Sequence, residues 1–318
     1  DNIVYLHKRM LAKLSAFLKD PKDTLRQVKT DEVNEITLLK KTIDLHLKPD
    51  PKNAFINLKK LRSLNPDDPY FLELLLQKTD NLWGISSDCE VTIEANPNSV
   101  SNIKFKALRN VGINRVSIGV QALNNKDLNN LGRDHDKNQA IDALQIVEKW
   151  FKNYNLDFIY GRQYQCPSDW SDELSQIIAL EAPHLSLYQL TIEENTSFYK
   201  LFKRDLLKGL PTHETTSEMF DVTRKLCENG GYKQYETSNF ARKGFKCRHN
   251  LSYWKYNDYL GIGPGAHGRI KISGKSYATE EEGNPDIWLK KTLSSNPSTP
   301  KITSIEPRVV FEEKLKES

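Results

Sequence analysis

Residues 90–97 read Glu90-Val-Thr-Ile-Glu-Ala-Asn-Pro97, and here the sequence changes from helical patterns to an alternation of strands and helices. The β-branched residues of this stretch favour a strand, which Asn96-Pro97 ends. Ser99 is placed to cap a helix that runs to Val111-Gly112, and Arg115-Val-Ser-Ile-Gly-Val-Gln121 is predicted to form the second strand. Strands that alternate with helices in this way are typical of βαβ units and a parallel sheet.

The alternation continues towards the C-terminus. We predict a third strand over Asn155 to Tyr160, a helix over Ser168 to Leu180, a fourth strand over Leu185 to Thr191, and a fifth strand or extended segment over Tyr235 to Phe240. Because parallel strands are covered on both faces, they should be almost wholly apolar. From Glu90 to Arg269 the sequence therefore predicts an α/β fold, most of a parallel β/α barrel.

Before residue 90 the pattern is helical instead. Apolar residues recur at helical spacing over about Val4 to Leu18, Val33 to Leu47 and Pro69 to Leu82, and proline-containing stretches separate these segments. We expect the N-terminal region to consist mainly of helices.

The composition excludes several classes of protein. Hydrophobic residues make up 38% of the 318 residues and charged residues 28%, as in globular proteins. The net charge of +4 is dispersed, whereas nucleic-acid binding usually leaves a clustered basic surface. No apolar run approaches the ~18 residues of a membrane span. We expect neither a nucleic-acid partner nor a membrane span.

The four cysteines, Cys89, Cys166, Cys227 and Cys247, are separated by 77, 61 and 20 residues. None of these separations is the short spacing of a zinc or iron–sulfur site, and four cysteines in a chain of this length do not make a disulfide framework. We interpret them as reduced thiols of an intracellular protein.

Four polar residues interrupt the apolar strands: Glu94, Gln121, Asp157 and Gln189. In barrels and open α/β sheets the ligand site lies at the carboxyl ends of the strands. A single polar residue there is more simply a partner in a buried hydrogen-bond network. Because such residues recur on successive strands, we favour a ligand site.

A second region rich in candidate site residues follows, from Cys247 to Trp254 and from Leu260 to Arg269. Four glycines and a proline within residues 261–268 specify a tight backbone that could approach a ligand closely. His249 and His267 could be metal or haem ligands, or hydrogen-bonded loop histidines. On the residues alone, the second interpretation is favoured.

Eight segments in this order resemble one family, the radical S-adenosylmethionine (SAM) proteins related to oxygen-independent coproporphyrinogen III oxidase. The last two are similar to its haem chaperone branch, and the resemblance covers about residues 86–270 and, weakly, the tail to Glu313. The segments are Glu90–Pro97, Asn114–Gln121, Leu131-Gly-Arg133, Leu156–Gly161, His184–Thr191, Tyr235–Arg242, His249-Asn-Leu-Ser-Tyr-Trp254 and Gly261-Ile-Gly-Pro-Gly-Ala-His-Gly268.

The resemblance implies roles for particular residues. By their motifs, four SAM contacts of the family map onto Glu94, Gln121, Arg133 and Asp157. The chemistry agrees, since carboxylates suit hydroxyl and amino groups and a guanidinium suits a carboxylate. The adenosine pocket would be lined by Thr191 and the Gly265-Ala266 turn. The haem chaperone branch also implies a haem contact, for which the candidates are His249, the nearby Cys247 and His267. The implied partners are haem or a porphyrin and haem-accepting apoproteins.

The sequence also departs from the family pattern. A Cys-x-x-x-Cys-x-x-Cys loop holds the family's four-iron cluster, but no cysteine precedes Cys89, and Ile3-Val-Tyr-Leu-His7 passes directly to Lys8. The family's glycine-rich SAM motif is absent around Leu64–Pro69. The family's Gly-Leu-Pro-x-Gln turn is replaced by Gly161-Arg-Gln-Tyr-Gln165, and the chain stops at Ser318. We therefore assign no catalytic residue and no metal ligand, and expect no radical chemistry from this sequence. A splice variant or a defective gene model is a better explanation than a true pseudoenzyme.

The expected organisation has three regions. Residues 1–88 would be a degenerate helical part of a radical-SAM-type barrel, 89–270 its core, and 271–318 the start of a truncated C-terminal region. The expected function is that of a haem chaperone-like protein that lacks its cluster ligands. A non-catalytic haem-binding module and an ordinary β/α-barrel enzyme that uses Glu94 and Asp157 as acid and base are the alternatives. The location would be intracellular, mitochondrial in a eukaryote and otherwise cytoplasmic.

Overall fold

A computed structural model describes residues 69–194, 196–292, 300–306 and 308. Residues 72–248 form one compact unit, and the described residues from His249 onward belong to a second. The predicted helix over Pro69 to Leu82 is confirmed as α1 (Tyr70–Trp83). The helical patterns over Val4 to Leu18 and Val33 to Leu47 lie outside the described residues.

The first unit alternates strands with helices, as the sequence predicts. Its strands are β1 (Thr92–Ala95), β2 (Arg115–Gln121), β3 (Tyr154–Tyr160), β4 (His184–Gln189), β5 (Lys233–Gln234) and β6 (Asn239–Ala241). Its helices after α1 are α2 (Asn102–Asn110), α3 (Asn125–Asn130), α4 (Lys137–Trp150), α5 (Pro167–Ala179), α6 (Ser197–Lys203) and α7 (His213–Asn229). Ser101, not Ser99, caps α2, because residues 97–99 form a short 3-10 turn first.

The six strands form one sheet in the order β1-β2-β3-β4-β6-β5, and within the described residues this sheet is open. The first four strands run parallel, which confirms the βαβ interpretation. Of the two forms predicted for Tyr235 to Phe240, a fifth strand or an extended segment, a single continuous strand is not formed. Residues 235–238 form a turn between β5 and β6, and β6 pairs antiparallel with β4.

The helices cover one face of this sheet and create the core of the unit. Alternate residues of the strands, such as Val116, Ile118, Leu156 and Phe158, are fully buried in that core. The indole of Trp170 on α5 stacks on Tyr160 at 5.2 Å between ring centroids. Because successive side chains of a strand point to opposite faces, the remaining strand residues lie on the other face of the sheet.

The second unit contains a separate antiparallel sheet. Helix α8 (Arg248–Trp254) leads into it, and its strands are β7 (His267–Ile272), β8 (Lys275–Glu280) and β9 (Lys301–Ile305), with α9 (Pro285–Thr292) before the last. Tyr259 and Arg269 join residues 255–266 to the sheet through an isolated antiparallel bridge. Among the helices that the structure describes, none is long and apolar enough to cross a membrane.

Candidate ligand site

The face of the sheet opposite the helices is polar. Register places Glu94 of β1 beside Ser117 of β2, Ser117 beside Asn155 of β3, and Asn155 beside His184 of β4. A second row joins Asp157, Ser186 and Asn239. The polar residues therefore occupy a whole sheet face and not only the strand ends, so the expectation of almost wholly apolar strands holds for one face alone.

Asn155 lies at the centre of this polar face. Its amide Nδ2 donates hydrogen bonds to Ser117 Oγ at 2.7 Å and to Asp157 Oδ1 at 2.6 Å. Its Oδ1 lies 2.5 Å from Nδ1 of His184 and 3.1 Å from the Ser186 hydroxyl. One buried amide thus links three strands. Asn155 and Asp157 alternate with the apolar Leu156 and Phe158, and this alternation is a sequence signal that could have placed Asn155 on the same face as Asp157.

His184 extends the network away from the sheet. Burial, reinforced by the charge of Arg115, lowers the pKa of the imidazole from 6.5 to about 3. The ring is therefore neutral, and because Asn155 Oδ1 only accepts, Nδ1 carries the hydrogen. Nε2 of His184 then accepts a hydrogen bond from the Tyr235 hydroxyl at 2.6 Å. The oxygen of that hydroxyl in turn accepts a hydrogen bond from the Cys247 N–H at 3.3 Å. The hydrogen-bonded chain runs from Asp157 to Cys247.

Asp157 is a second titratable group of this face with a shifted pKa. Burial raises the pKa of its carboxyl from 3.8 to about 6, although hydrogen bonds from Ser117 and Asn155 favour the ionised form. The nearby Glu94 carboxylate raises it further. Asp157 is partly buried, whereas Glu94 is exposed. Two carboxyl groups therefore share one polar face, which favours a ligand that donates hydrogen bonds or carries positive charge.

Gln121 is held in an unusual backbone conformation. The pairing of β2 with β3 shifts register between Ile118 and Gln121, and Gln121 has a φ of 71°. Its side chain folds back over Gly119, where a Cβ would lie 2.7 Å from Gln121 Nε2. A bulge that redirects a side chain is common beside ligand sites. A side chain at residue 119 would therefore displace the Gln121 amide from its present position.

Arg133 follows α3 and is partly buried. Its Nε is buried without a hydrogen-bond partner, although its backbone N–H donates to Leu128 O at 2.9 Å. A buried guanidinium N–H without an acceptor costs free energy, and an anionic group of a ligand would recover it. Arg133 thus fits the role of a carboxylate contact. Thr191, by contrast, is exposed, and its hydroxyl bonds to Gln189 O at 3.3 Å.

The haem candidates differ in accessibility. Cys247 is only 2% exposed, and its thiol lies 3.5 Å from Glu90 Oε1, which also accepts the Arg248 N–H at 3.1 Å. His249 is exposed and packs edge-to-face on Tyr253, with ring centroids 4.6 Å apart. Of these two residues, His249 is the one that a large planar ligand can reach.

The other predicted residues of the glycine-rich loop lie in the second unit. The Gly265 N–H donates to Glu282 O at 2.9 Å, and Gly265 adopts a φ of 73° that favours glycine. Ala266 O accepts the Glu281 N–H at 2.9 Å. His267 is exposed at the start of β7, opposite Glu280. The turn is thus fastened to the segment that follows β8.

A buried ion cluster supports the loop after β3, and no sequence pattern indicates it directly. Arg162 is 3% exposed, and its guanidinium forms salt bridges with Asp127, at 2.8 Å, and with Glu173. Glu173 Oε1 also accepts the Leu123 N–H at 2.7 Å. Arg162, which stands where the family pattern Gly-Leu-Pro-x-Gln has leucine, is therefore a structural cation that ties α3 and α5 to the end of β3.

Comparison with known proteins identifies the family. The model of the radical SAM superfamily matches residues 18–174. "Heme chaperone HemW" of Haemophilus influenzae is 37% identical over 232 residues, which are 72% of this chain and 59% of the relative. The same-named protein of Escherichia coli is 38% identical over 65% of this chain and 54% of its own length. This chain belongs to the radical SAM superfamily, in the branch of the HemW proteins.

Further matches agree with this membership. A bovine protein named "Radical S-adenosyl methionine domain-containing protein 1, mitochondrial" is 33% identical over 78% of this chain and 57% of its own length. Coproporphyrinogen III oxidase (HemN) from Escherichia coli, described as a radical SAM enzyme, has the same fold, with a TM-score of 0.63. The two chains are 19% identical in sequence, and the match covers 77% of this chain and 58% of that one. The resemblance found in the motifs is confirmed. The chain spans somewhat more than half the length of these curated relatives.

The radical SAM family implies a four-iron cluster as well as SAM. All four cysteines of the sequence lie in the described part of the chain, where Cys227 is buried in the core, Cys166 directly precedes α5 and the Cys247 thiol hydrogen-bonds to Glu90. No group of three or more potential ligands among the described residues could hold a metal ion. The cysteines present here do not fit a cluster site.

Proposed function

We propose that the polar face of the sheet binds SAM and that the protein binds haem and passes it to an acceptor protein. The observation that carries the SAM proposal is the arrangement of Asp157, Glu94 and Gln121 on or beside that face, within a family defined by SAM. The haem proposal rests on the HemW relatives and on the exposed imidazole of His249.

The proposed roles follow from the chemistry of each side chain. The carboxylates of Glu94 and Asp157 would accept hydrogen bonds from the ribose hydroxyls and the ammonium group, and the guanidinium of Arg133 would bind the carboxylate of the methionine part. The Gln121 amide would orient the ligand. We carry over Thr191 and the Gly265-Ala266 turn as adenosine contacts from the family resemblance.

We also propose that this chain does not cleave SAM. In its relatives the cluster supplies the electron for that reaction, and the cysteines present here are separated by 77, 61 and 20 residues. Reconstitution of the chain with iron and sulfide should give no cluster absorption band in the visible spectrum. Appearance of such a band would contradict the proposal and would restore the radical enzyme as the preferred function.

Calorimetric titration tests the SAM site. Asp157→Asn removes a charged acceptor, and hydrogen bonds to charged groups contribute ~1.5–3 kcal/mol, so we expect affinity for SAM to fall by roughly ten- to a hundredfold. Ile103→Ser, at a position 71% exposed on α2, is the control and should bind like the wild type. Equal affinities of all three chains would exclude Asp157 as a contact.

Haem titration tests the proposal that the protein binds haem through His249. His249→Ala should weaken haem binding and alter the Soret band, because an axial imidazole sets the haem spectrum. His213 is also exposed, at the start of α7, so His213→Ala is the control. If His249→Ala binds haem as tightly as His213→Ala does, then His249 is not the ligand, and His267→Ala becomes the next variant.

The regions and the location also remain proposals. We retain residues 89–270 as the core that carries the family motifs, with 1–88 and 271–318 as flanking parts. The bovine and murine relatives carry the word "mitochondrial" in their names, which supports a mitochondrial location if the source is eukaryotic. Fractionation of cells that express the complete gene tests this.

A further inference from the structure

Helix α6 ends in an exposed turn of the first unit. Asp205 follows with a φ of 55°, its N–H donates to Phe202 O at 2.9 Å, and the Leu206 N–H reaches back to Leu201 O at 2.9 Å. This is a Schellman motif, which commonly brings the residue after the turn against the last helical turn. Leu206 is therefore placed beside Leu201. Residues 201–206 are all exposed.

The apolar side chains of this turn face solvent. Leu201 is 39% exposed, Phe202 49% and Leu206 61%. Single exposed apolar residues are ordinary, but three within six residues at one turn form a patch that needs an explanation. Leu207, the next residue, is buried and anchors the segment to the unit.

The same segment is strongly basic. Residues 200–208 contain four cations, Lys200, Lys203, Arg204 and Lys208, and one anion, Asp205, so the segment has a net charge of +3. Asp205 is paired with Lys208. The acidic residues Glu193 and Glu194 lie before the helix, at the end away from the turn. Apolar and basic groups are thus concentrated at one end of α6.

The turn is held in place by the loop after β3. The Gln163 amide donates to Lys208 O at 2.7 Å, and the Tyr164 N–H donates to Gly209 O at 2.6 Å. The Tyr164 ring covers Gly209 and is itself 67% exposed. Gln163 stands where the family pattern Gly-Leu-Pro-x-Gln has proline, so the hydrogen bond from its amide to Lys208 O comes from a residue that departs from that pattern.

We propose that residues 200–208, with Tyr164, form a surface that docks on an anionic lipid bilayer. Leucine and phenylalanine that enter the headgroup region, flanked by lysine and arginine, are the composition of interfacial segments. The positive charge complements an anionic lipid surface, where each basic residue strengthens binding roughly fivefold. An exposed turn with apolar and basic side chains suits a fluid bilayer, which needs no matching groove. The inference does not depend on SAM or haem binding.

Sedimentation with lipid vesicles tests the surface. The full chain should bind vesicles of phosphatidylcholine mixed with phosphatidylserine, should bind pure phosphatidylcholine at least tenfold more weakly, and should dissociate at high salt, which screens charges beyond ~3 Å at 1 M. Lys200→Glu combined with Lys203→Glu, and separately Phe202→Ser combined with Leu206→Ser, should each reduce binding at least tenfold. Ile103→Ser is the control, since it removes an exposed apolar side chain elsewhere.

Each alternative result has a defined meaning. Equal binding to both vesicle types, or wild-type binding by both double variants, would overturn the proposal. Binding to soluble polyglutamate without binding to vesicles would also overturn it and would assign the surface to an acidic protein. Because the four substituted side chains are exposed, unchanged circular dichroism is expected and confirms that the variants fold.

Discussion

Asn155 and Asp157 lie two residues apart on β3, with their side chains on the same face, and Asn155 Nδ2 donates a 2.6 Å hydrogen bond to Asp157 Oδ1. The amide fixes the carboxyl group towards the polar face. It does not compensate for burial, because the pKa of Asp157 is still raised to about 6. The proposed ligand contact is therefore also a group that titrates just below neutral pH.

The stability of the protein should depend on Asp157. Between about pH 4 and 6 the folded chain keeps a proton that the unfolded chain has lost, so the free energy of unfolding falls as the pH rises, by up to about 3 kcal/mol. Asp157→Asn should remove this part of the pH dependence. Urea unfolding of both chains across this range measures the difference, and parallel curves would contradict the raised pKa.

His184 should have the opposite effect. Its pKa is lowered from 6.5 to about 3, so the unfolded chain binds a proton in this range that the folded chain does not. Stability is complete above about pH 6.5 and falls as the pH is lowered, by up to roughly 5 kcal/mol. His184→Gln should reduce this loss in acid, as measured by thermal unfolding. Greater loss of stability in acid for His184→Gln than for the wild type would refute the assignment.

The parallel strands could be predicted because their β-branched and apolar residues agree with their tertiary positions. Strand β2 has the predicted limits, Arg115 to Gln121. The turn over residues 235–238 could not be predicted, since its sequence is compatible with a strand. Its tyrosine is instead held by two distant partners, His184 and the Cys247 N–H. Tertiary contacts here override the β propensity of the segment.

The candidate site could be predicted in part. Glu94, Gln121 and Asp157 were visible as polar interruptions, but Asn155, Ser117 and Ser186 belong to the same network and were not singled out. Only the pairing of neighbouring strands shows that these side chains meet. Arg162 also required the structure, because its partners Asp127 and Glu173 lie 35 and 11 residues away in the sequence.

Gly119 offers a test of the Gln121 position. Gly119→Ala would place a Cβ 2.7 Å from Gln121 Nε2 and displace the end of that flexible side chain. We expect about tenfold weaker SAM binding in calorimetry, with a change of under about 1 kcal/mol in the free energy of unfolding. Gly283 has open space at its Cβ position, so Gly283→Ala is the control. Unaltered SAM affinity in Gly119→Ala would remove Gln121 from the site.

The cysteines should differ in their reaction with a thiol reagent. Cys166 is exposed and should react first, Cys89 is partly buried, and Cys227 and Cys247 are buried. Burial raises the pKa of the Cys227 thiol to about 12, which removes the reactive thiolate near neutral pH. Titration with a chromogenic disulfide should show one fast thiol, absent in Cys166→Ser. A fast phase that persists in Cys166→Ser would contradict this order.

Arg162 should be essential for stability, even though the family pattern Gly-Leu-Pro-x-Gln has leucine at this position. Arg162→Leu would leave the carboxylates of Asp127 and Glu173 without their cation, and removal of one partner of a buried ion pair costs ~3–5 kcal/mol. Urea unfolding measures this loss. Glu173→Gln keeps an acceptor for the Leu123 N–H, so the double variant Arg162→Leu/Glu173→Gln should recover part of the stability. If Arg162→Leu is as stable as the wild type, the cluster contributes nothing, and the departure from the family-like turn has no structural explanation in Arg162.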